Sequence, residues 1–139
     1  MDEMQVNVAL KNDMVLEGRN SRAHLTVLDA KDEDGGNNQG PTPKELVLEG
    51  LAGCTAMDVL AILRKMRQDV QSFNVEVKTS LTDEHPRVFK DIHIVYTASG
   101  KMEEAKLKRA IELSQDKYCG VSAMLKKNST VTYEYKIEN

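Results

Sequence analysis

Tryptophan is absent from the 139 residues, and only two phenylalanines, three prolines and two cysteines are present. With so few aromatic residues, the core must be built from Val, Leu, Ile and Met. The net charge of −3, from 19 basic and 22 acidic residues, excludes the basic surface typical of nucleic-acid binding. No run approaches the roughly 18 apolar residues of a membrane span, and the acidic N-terminus has no signal-peptide pattern. We therefore expect a cytoplasmic protein that binds neither nucleic acid nor membrane.

The length predicts a single domain over residues 1–139, because the chain can bury one fair core but not two. Met4 to Leu10 alternate with polar residues, which predicts a half-buried strand. A hairpin follows, and its polar tip carries Arg19 and Arg22. The next segment is interpreted as a mobile, solvated loop that fits neither a calcium loop nor a P-loop, "AKDEDGGNNQGPTP".

A capping box predicts the start of the first helix, with Thr42 as N-cap, Pro43 at N1 and Glu45 at N3. We expect this helix to end near Arg67, with Gly50 and Gly53 as places where it could kink or restart. From residue 51 to residue 63 it is apolar except for a cysteine, a threonine and an aspartate. A helix that is apolar on all sides must be enclosed on all sides. A second copy of the chain would supply the missing cover, so we predict an intertwined homodimer.

The remainder predicts two strands, a helix over residues 99–119, a short turn or helix and a final strand. Leu107, Ala110, Ile111 and Ser114 share the inner face of that helix. The element order indicates an α+β fold, with antiparallel sheets around central helices. We expect no cofactor and no metal site, because the three histidines and two cysteines lack zinc spacing.

Two motifs in this order resemble those of the OsmC/Ohr family of thiol-dependent hydroperoxide peroxidases: "TPKELVLEGLAGCTAMDVLAILRK" and "LSQDKYCGVSAML". The resemblance covers the chain from about Val15 to its C-terminus and points most to a branch without established substrates. It implies an OsmC-like fold with active sites at the interface of an intertwined homodimer. It also implies that Cys54 attacks the peroxide, that Cys119 resolves the sulfenic acid as a disulfide, and that a dithiol reductant, typically a lipoyl group, regenerates the pair.

The chemistry of Cys54 requires a thiolate, because the neutral thiol is a poor nucleophile. If the helix restarts near Gly53, Cys54 lies in a first turn and the helix dipole favours its anion. If the helix is continuous, Cys54 lies about three turns in, and a cation must stabilise the thiolate. The resemblance implies an arginine from the N-terminal hairpin: Arg22, or alternatively Arg19. The other interpretation makes both arginines solvated turn residues.

One departure from the family weakens this interpretation. The family's active-site glutamate lies ten residues before the first cysteine, where this chain has Lys44. Glu45 is one residue late, and its capping role already explains it. Asp58 follows Cys54 by four residues on the same helix face. It is expected to be a structural carboxylate bonded to backbone or to a basic partner, or else a proton carrier beside the thiol.

Three hypotheses about function follow. The first is a peroxidase that reduces organic hydroperoxides or hydrogen peroxide with Cys54 and Cys119. The second is a redox sensor or apolar-ligand-binding protein without efficient turnover. The third is a structural dimer with inert buried cysteines, a common environment for free cysteine. We favour the first.

Overall fold

The computed structural model describes residues 2–139, and the backbone divides into two compact units within the first long helix, between Val47 and Leu48. The elements, in chain order, are β1 (Val6–Asn12), β2 (Val15–Asn20), β3 (Leu25–Leu28), α1 (Pro43–Lys65), β4 (Asp69–Leu81), β5 (Phe89–Lys101), α2 (Glu104–Leu113), α3 (Gly120–Lys126) and β6 (Thr130–Ile137). A 3₁₀ turn covers Asp32–Asp34, and a π-helical turn covers Ser114–Tyr118. This is the α+β order that the sequence predicts.

The N-terminal unit contains an antiparallel sheet in the order β1–β2–β3. Every residue of β1 is exposed, including Val6, Val8 and Leu10 at 73%, 52% and 67%. The expectation of a half-buried strand is therefore wrong for the single chain. Alternation predicts which side chains share a face, but it does not identify what covers that face.

The loop after β3 folds around Asp29, which is 2% exposed. Its carboxylate accepts hydrogen bonds from the backbone N–H groups of Ala30, Asn37 and Gln39 at 2.8, 2.9 and 3.1 Å. These bonds lower the pKa of Asp29, and the Asn37 N–H has the largest effect. The segment that the sequence predicts to be mobile and solvated is thus held by hydrogen bonds to one buried carboxylate, that of Asp29.

Helix α1 is continuous through Gly50 and Gly53, so it does not restart at either glycine. It ends two residues before Arg67. The capping box is confirmed: the Thr42 N–H donates to Glu45 Oε1 at 2.9 Å, and the Glu45 N–H donates to Thr42 Oγ1 at 3.4 Å. Only one face is buried, formed by residues at intervals of four: Leu51, Thr55, Val59 and Leu63. Enclosure on all sides is therefore not seen in the single chain, where Met57 is 73% exposed. The homodimer that would cover the other faces stays a prediction.

The C-terminal unit contains a sheet in the order β4–β5–β6. β4 and β5 are antiparallel, but β5 and β6 are parallel, so the prediction of purely antiparallel sheets is wrong here. The reason is the connection: α2, the π-helical turn and α3 lie between the two strands, and such a crossover joins parallel neighbours. The predicted inner face of the helix is confirmed by the burial of Leu107, Ala110, Ile111 and Ser114.

The core of the C-terminal unit joins the buried face of α1 to β5 and α2, with Leu63, Ile92, Ile94, Tyr96 and Leu107 all 0% exposed. By length and composition, α1 is also long and apolar enough to cross a membrane, although it contains no uninterrupted apolar run of that length. The core helix of a water-soluble protein can have the same length and composition, so this feature alone does not indicate a membrane protein.

Candidate functional site

Three acidic groups meet inside the C-terminal unit: the Sγ atoms of Cys54 and Cys119 and a carboxylate oxygen of Asp58 all lie within 4.8 Å of one another. Cys54 and Asp58 are one turn apart on α1, so their side chains project from the same face. Cys119 is the residue between the π-helical turn and α3. Both cysteines are free thiols, Cys54 half-buried and Cys119 buried. Residues 65 positions apart in the sequence are thereby brought together.

The Cys119 thiol is fixed by backbone contacts. The Ser122 N–H donates to Cys119 Sγ at 3.4 Å, and the Cys119 N–H donates to the Ser114 carbonyl at 2.7 Å. Burial raises the pKa of Cys119 to about 11; the Ser122 N–H lowers it, and the neighbouring Cys54 and Asp58 raise it. Cys119 is therefore a neutral thiol at neutral pH.

Cys54 is the twelfth residue of the continuous helix α1, so its thiol is far from the helix N-terminus. The field of a helix dipole falls off within the first turn, which leaves stabilisation of a Cys54 thiolate to a nearby cation. Arg19, on β2, forms an exposed ion pair with Glu17 at 3.6 Å. Arg22 lies in the turn before β3 and donates its backbone N–H to Asn20 Oδ1 at 3.0 Å. Pairing of Arg22 with Cys54 stays a prediction.

A chain of buried hydrogen bonds ends on Asp58. Ser114 Oγ donates to Asp58 Oδ2 at 3.0 Å and contacts Thr55 Oγ1 at 2.8 Å. Thr55 Oγ1 in turn contacts Tyr96 Oη at 2.6 Å, and Gln115 Nε2 donates to Tyr96 Oη at 2.8 Å. A hydroxyl has one proton and a carboxylate only accepts. The donors are therefore all aligned in one direction, from Gln115 through Tyr96, Thr55 and Ser114 to the carboxylate.

The other end of Gln115 extends this network toward Cys119. Ser122 Oγ donates to Gln115 Oε1 at 2.7 Å, and Lys126 Nζ donates to the Gln115 carbonyl at 2.6 Å. Ser122 is also the residue whose N–H contacts the Cys119 sulfur. The network thus holds both Asp58 and the loop around Cys119.

The sequence does not predict most of this network. It places Ser114 on the inner helix face without indicating a partner, and it marks Thr55 only as an exception in an apolar helix. One signal could have indicated it: Thr55 and Ser114 are small hydroxyl residues on two helix faces that the sequence predicts to be buried, and buried polar groups require hydrogen-bond partners. The partner expected for Asp58 is corrected as well: none of the ion pairs within residues 48–139 includes it, and its hydrogen bond comes from the neutral Ser114 hydroxyl.

The remaining candidates behave as structural residues. The Glu45 carboxylate accepts from the Thr42 N–H and hydroxyl, which lowers the pKa of Glu45 and assigns it to the helix cap. His93 lies on the sheet face between Thr132 and Glu134, at 2.7 and 2.9 Å. His24 is exposed and contacts Asn20.

Comparisons with known proteins agree with the fold and the motifs. The family described as OsmC-like protein matches residues 35–134. Protein YhfA of Escherichia coli (strain K12) is 33% identical over 135 residues, which cover 96% of this chain and 98% of YhfA. The crystal structure of a hypothetical protein from Aquifex aeolicus VF5 matches with a TM-score of 0.84 and 32% identity over 100% of both chains.

A more distant structure shares the fold alone. An organic hydroperoxide resistance protein from Legionella pneumophila matches with a TM-score of 0.71 and 13% identity, over 98% of each chain. The family match spans the α1 cysteine and the second cysteine, and the similar proteins span nearly the whole chain. The chain therefore belongs to the OsmC-like family.

Proposed function

We propose that this protein is a thiol-dependent peroxidase that reduces organic hydroperoxides or hydrogen peroxide. One observation supports the proposal above all others: the two free sulfurs lie within 4.8 Å of each other in a partly buried site. The half-buried Cys54 is the more accessible of the two, which suits attack on a small substrate. Solved relatives of the same fold include proteins named for organic hydroperoxide resistance.

The assignment of roles follows from the environment of each thiol. Attack on peroxide requires a thiolate, and the raised pKa of Cys119 makes that residue a poor nucleophile at neutral pH. Cys54 is therefore the attacking residue and Cys119 the resolving one. Arg22 is proposed as the cation that stabilises the Cys54 thiolate, because the dipole of α1 cannot do so at this depth in the helix.

The reaction balances in two steps. The Cys54 thiolate attacks one peroxide oxygen, the O–O bond breaks, and a proton is taken up, which gives Cys54 sulfenic acid and an alcohol, or water when the substrate is hydrogen peroxide. Cys119 then attacks the Cys54 sulfur and releases water as the disulfide forms. The sulfurs must close from at most 4.8 Å to the roughly 2.05 Å of a disulfide. A dithiol reductant, of the lipoyl type, returns both cysteines to thiols by exchange.

The assembly proposed for this reaction is a homodimer in the cytoplasm. The exposed apolar residues of β1 and the uncovered faces of α1 support the dimer, since each would lose its contact with water against a second copy. Two free thiols support a reducing compartment.

The test is intact-mass analysis of the reduced protein after a brief and nearly stoichiometric dose of tert-butyl hydroperoxide. A zinc chelator is present so that trace metal cannot bind the two thiols. Hydrogen peroxide is tested in parallel. We expect the rapid loss of two hydrogen atoms, mapped by peptide analysis to a Cys54–Cys119 disulfide. Cys54→Ser should show no change, and Cys119→Ser should instead gain oxygen atoms at Cys54, because its sulfenic acid has no resolving partner.

An unchanged mass over minutes with both oxidants would refute the peroxidase. Slow oxidation of the same pair, in a protein that carries a bound apolar molecule, would favour the redox-sensing or ligand-binding alternative. Lys44 occupies the position of the family's active-site glutamate, and this departure is the reason to test for a protein without efficient peroxidase turnover.

A further inference from the structure

The Cys54–Asp58–Cys119 cluster has the composition and dimensions of a metal site. Two thiols and one carboxylate offer three ligand atoms within 4.8 Å of one another, and none of the three residues is fully exposed. In a tetrahedral zinc site, bonds of about 2.3 Å to sulfur and 2.0–2.2 Å to oxygen separate two sulfurs by roughly 3.8 Å, and sulfur from oxygen by roughly 3.5 Å. To reach this geometry from 4.8 Å, the two sulfurs would approach by about 1.0 Å at most, and sulfur and oxygen by about 1.3 Å at most.

We propose that Cys54, Asp58 and Cys119 bind one Zn²⁺ per chain, with a fourth coordination position left open. The placement of the ligands supports this. Cys54 and Asp58 project from successive turns of one continuous helix, and Cys119 comes from a backbone fixed by two hydrogen bonds. The site is therefore assembled by the fold of the C-terminal unit rather than by a short sequence motif.

Two further observations favour a cation at this position. Ser114 Oγ donates to Asp58 Oδ2, so one carboxylate oxygen is held in place while the other keeps its capacity to accept. Such a hydrogen bond to a ligating carboxylate is the usual outer support of a metal site. In addition, none of the ion pairs within residues 48–139 includes Asp58, so this half-buried carboxylate lies beside two thiols without an ion-pairing partner from that unit.

The ligand set selects the metal. Two thiolates exclude calcium and magnesium, which bind oxygen, and the carboxylate disfavours copper(I), which prefers purely soft ligands. Zinc accepts both donor types and is stable in a three-ligand site with an open position. The sequence predicts no metal site because its histidines have no spacing that, with the two cysteines, suggests zinc; this cluster uses both cysteines but no histidine.

The zinc site does not depend on the proposed peroxidase, but it shares two residues with it. Zinc would hold both thiolates, so a bound metal would block attack of Cys54 on peroxide. A Cys54–Cys119 disulfide would conversely remove two of the three ligands and release the metal. Occupancy of this site and oxidation of the pair should therefore be mutually exclusive.

The test is anaerobic titration of the reduced full-length protein with Zn²⁺ in competition with a chromophoric chelator. Co²⁺ is titrated in parallel, because its charge-transfer absorption reports thiolate ligands. We expect one ion per chain. Loss of a ligand in Cys54→Ser or Cys119→Ser should weaken binding by more than about 100-fold, beyond the 10–100-fold typical of an outer-shell partner. Ser114→Ala, which removes only the outer support, should cost about 10-fold.

Asp58→Asn is the decisive variant, and Asp91→Asn, an exposed carboxylate on β5, is its matched control. We expect Asp58→Asn, like the cysteine variants, to bind more than about 100-fold more weakly, beyond the effect of an outer-shell partner, and Asp91→Asn to bind as the wild type does. Circular dichroism of each variant establishes that it is folded. Unchanged affinity in Asp58→Asn, or Co²⁺ binding without a thiolate charge-transfer band, would overturn the site. Because no peroxide is present here, and the peroxide test contains a chelator, failure of either proposal is distinguishable from failure of the other.

Discussion

The buried hydroxyl of Tyr96 offers a sharp test of the polar network, through the substitution Tyr96→Phe. Tyr96 is 0% exposed, and its hydroxyl contacts Thr55 Oγ1 at 2.6 Å and Gln115 Nε2 at 2.8 Å. Phenylalanine keeps the ring and its packing, so the change removes two hydrogen bonds and little else. Gln115 Nε2 retains only its longer bond to Thr55, at 3.2 Å.

The expected cost follows from the number of bonds. A buried intramolecular hydrogen bond contributes about 1 kcal/mol net, so the loss of two should destabilise the protein by about 2 kcal/mol. This corresponds to a change of about 30-fold in the folding equilibrium constant. Tyr135→Phe on β6 is the matched control, because that hydroxyl makes a single exposed contact with Glu104 at 3.4 Å. We expect it to change stability by less than about 0.5 kcal/mol.

The assay is urea unfolding, monitored by circular dichroism. The free energies of unfolding are compared between variants whose unfolding free energy has the same dependence on urea concentration. The variants are measured at the same protein concentration, and at a second one tenfold higher, since a homodimer would make stability depend on concentration. If Tyr96→Phe and Tyr135→Phe lose the same stability within about 0.5 kcal/mol, the directed network through Tyr96 does not contribute as argued.

Three further results are expected. In the folded protein at neutral pH, iodoacetamide should alkylate Cys54 well before Cys119, because burial raises the pKa of Cys119 to about 11; equal rates, measured by peptide mapping, would contradict this order. The lowered pKa of Asp29 means that its carboxylate stabilises the fold fully above its ordinary value of 3.8 and loses that contribution as the pH falls through the lower folded value. Asp29→Asn should therefore flatten the fall in melting temperature over this acidic range, and an unchanged slope would refute the assignment. Arg22→Ala should slow the reaction of Cys54 with tert-butyl hydroperoxide by about 10-fold or more if Arg22 supplies the cation; Arg19→Ala is the control, and equal slowing in both variants would show a general charge effect instead.

The features that the sequence predicted well are those set by neighbours along the chain. The capping box at Thr42 and Glu45 forms because three residues suffice to close it. The inner face of α2 and the alternation along β4 follow from the periods of helix and strand. The cysteine motifs also identified the family, since they lie within the span that matches.

The features that it did not predict depend on groups distant in sequence. Local signals mark Gly50 and Gly53 as places where the helix could kink or restart, because each glycine costs about 1 kcal/mol of helix stability relative to alanine. Burial of Leu51 and its neighbours on the same face accounts for the continuous helix. The parallel pairing of β5 and β6 likewise depends on the crossover between them rather than on their own alternation.

The sequence by itself determined the element order, the helix start and the identity of the two cysteines, because each rests on residues within a few positions of one another. Only the tertiary structure decided that Cys54 and Asp58, neighbours on one helix face, lie against Cys119 and that Ser114, from the π-helical turn, holds the Asp58 carboxylate. Those contacts join groups more than 50 residues apart, and no local pattern records which distant side chains the packing of the core will bring together.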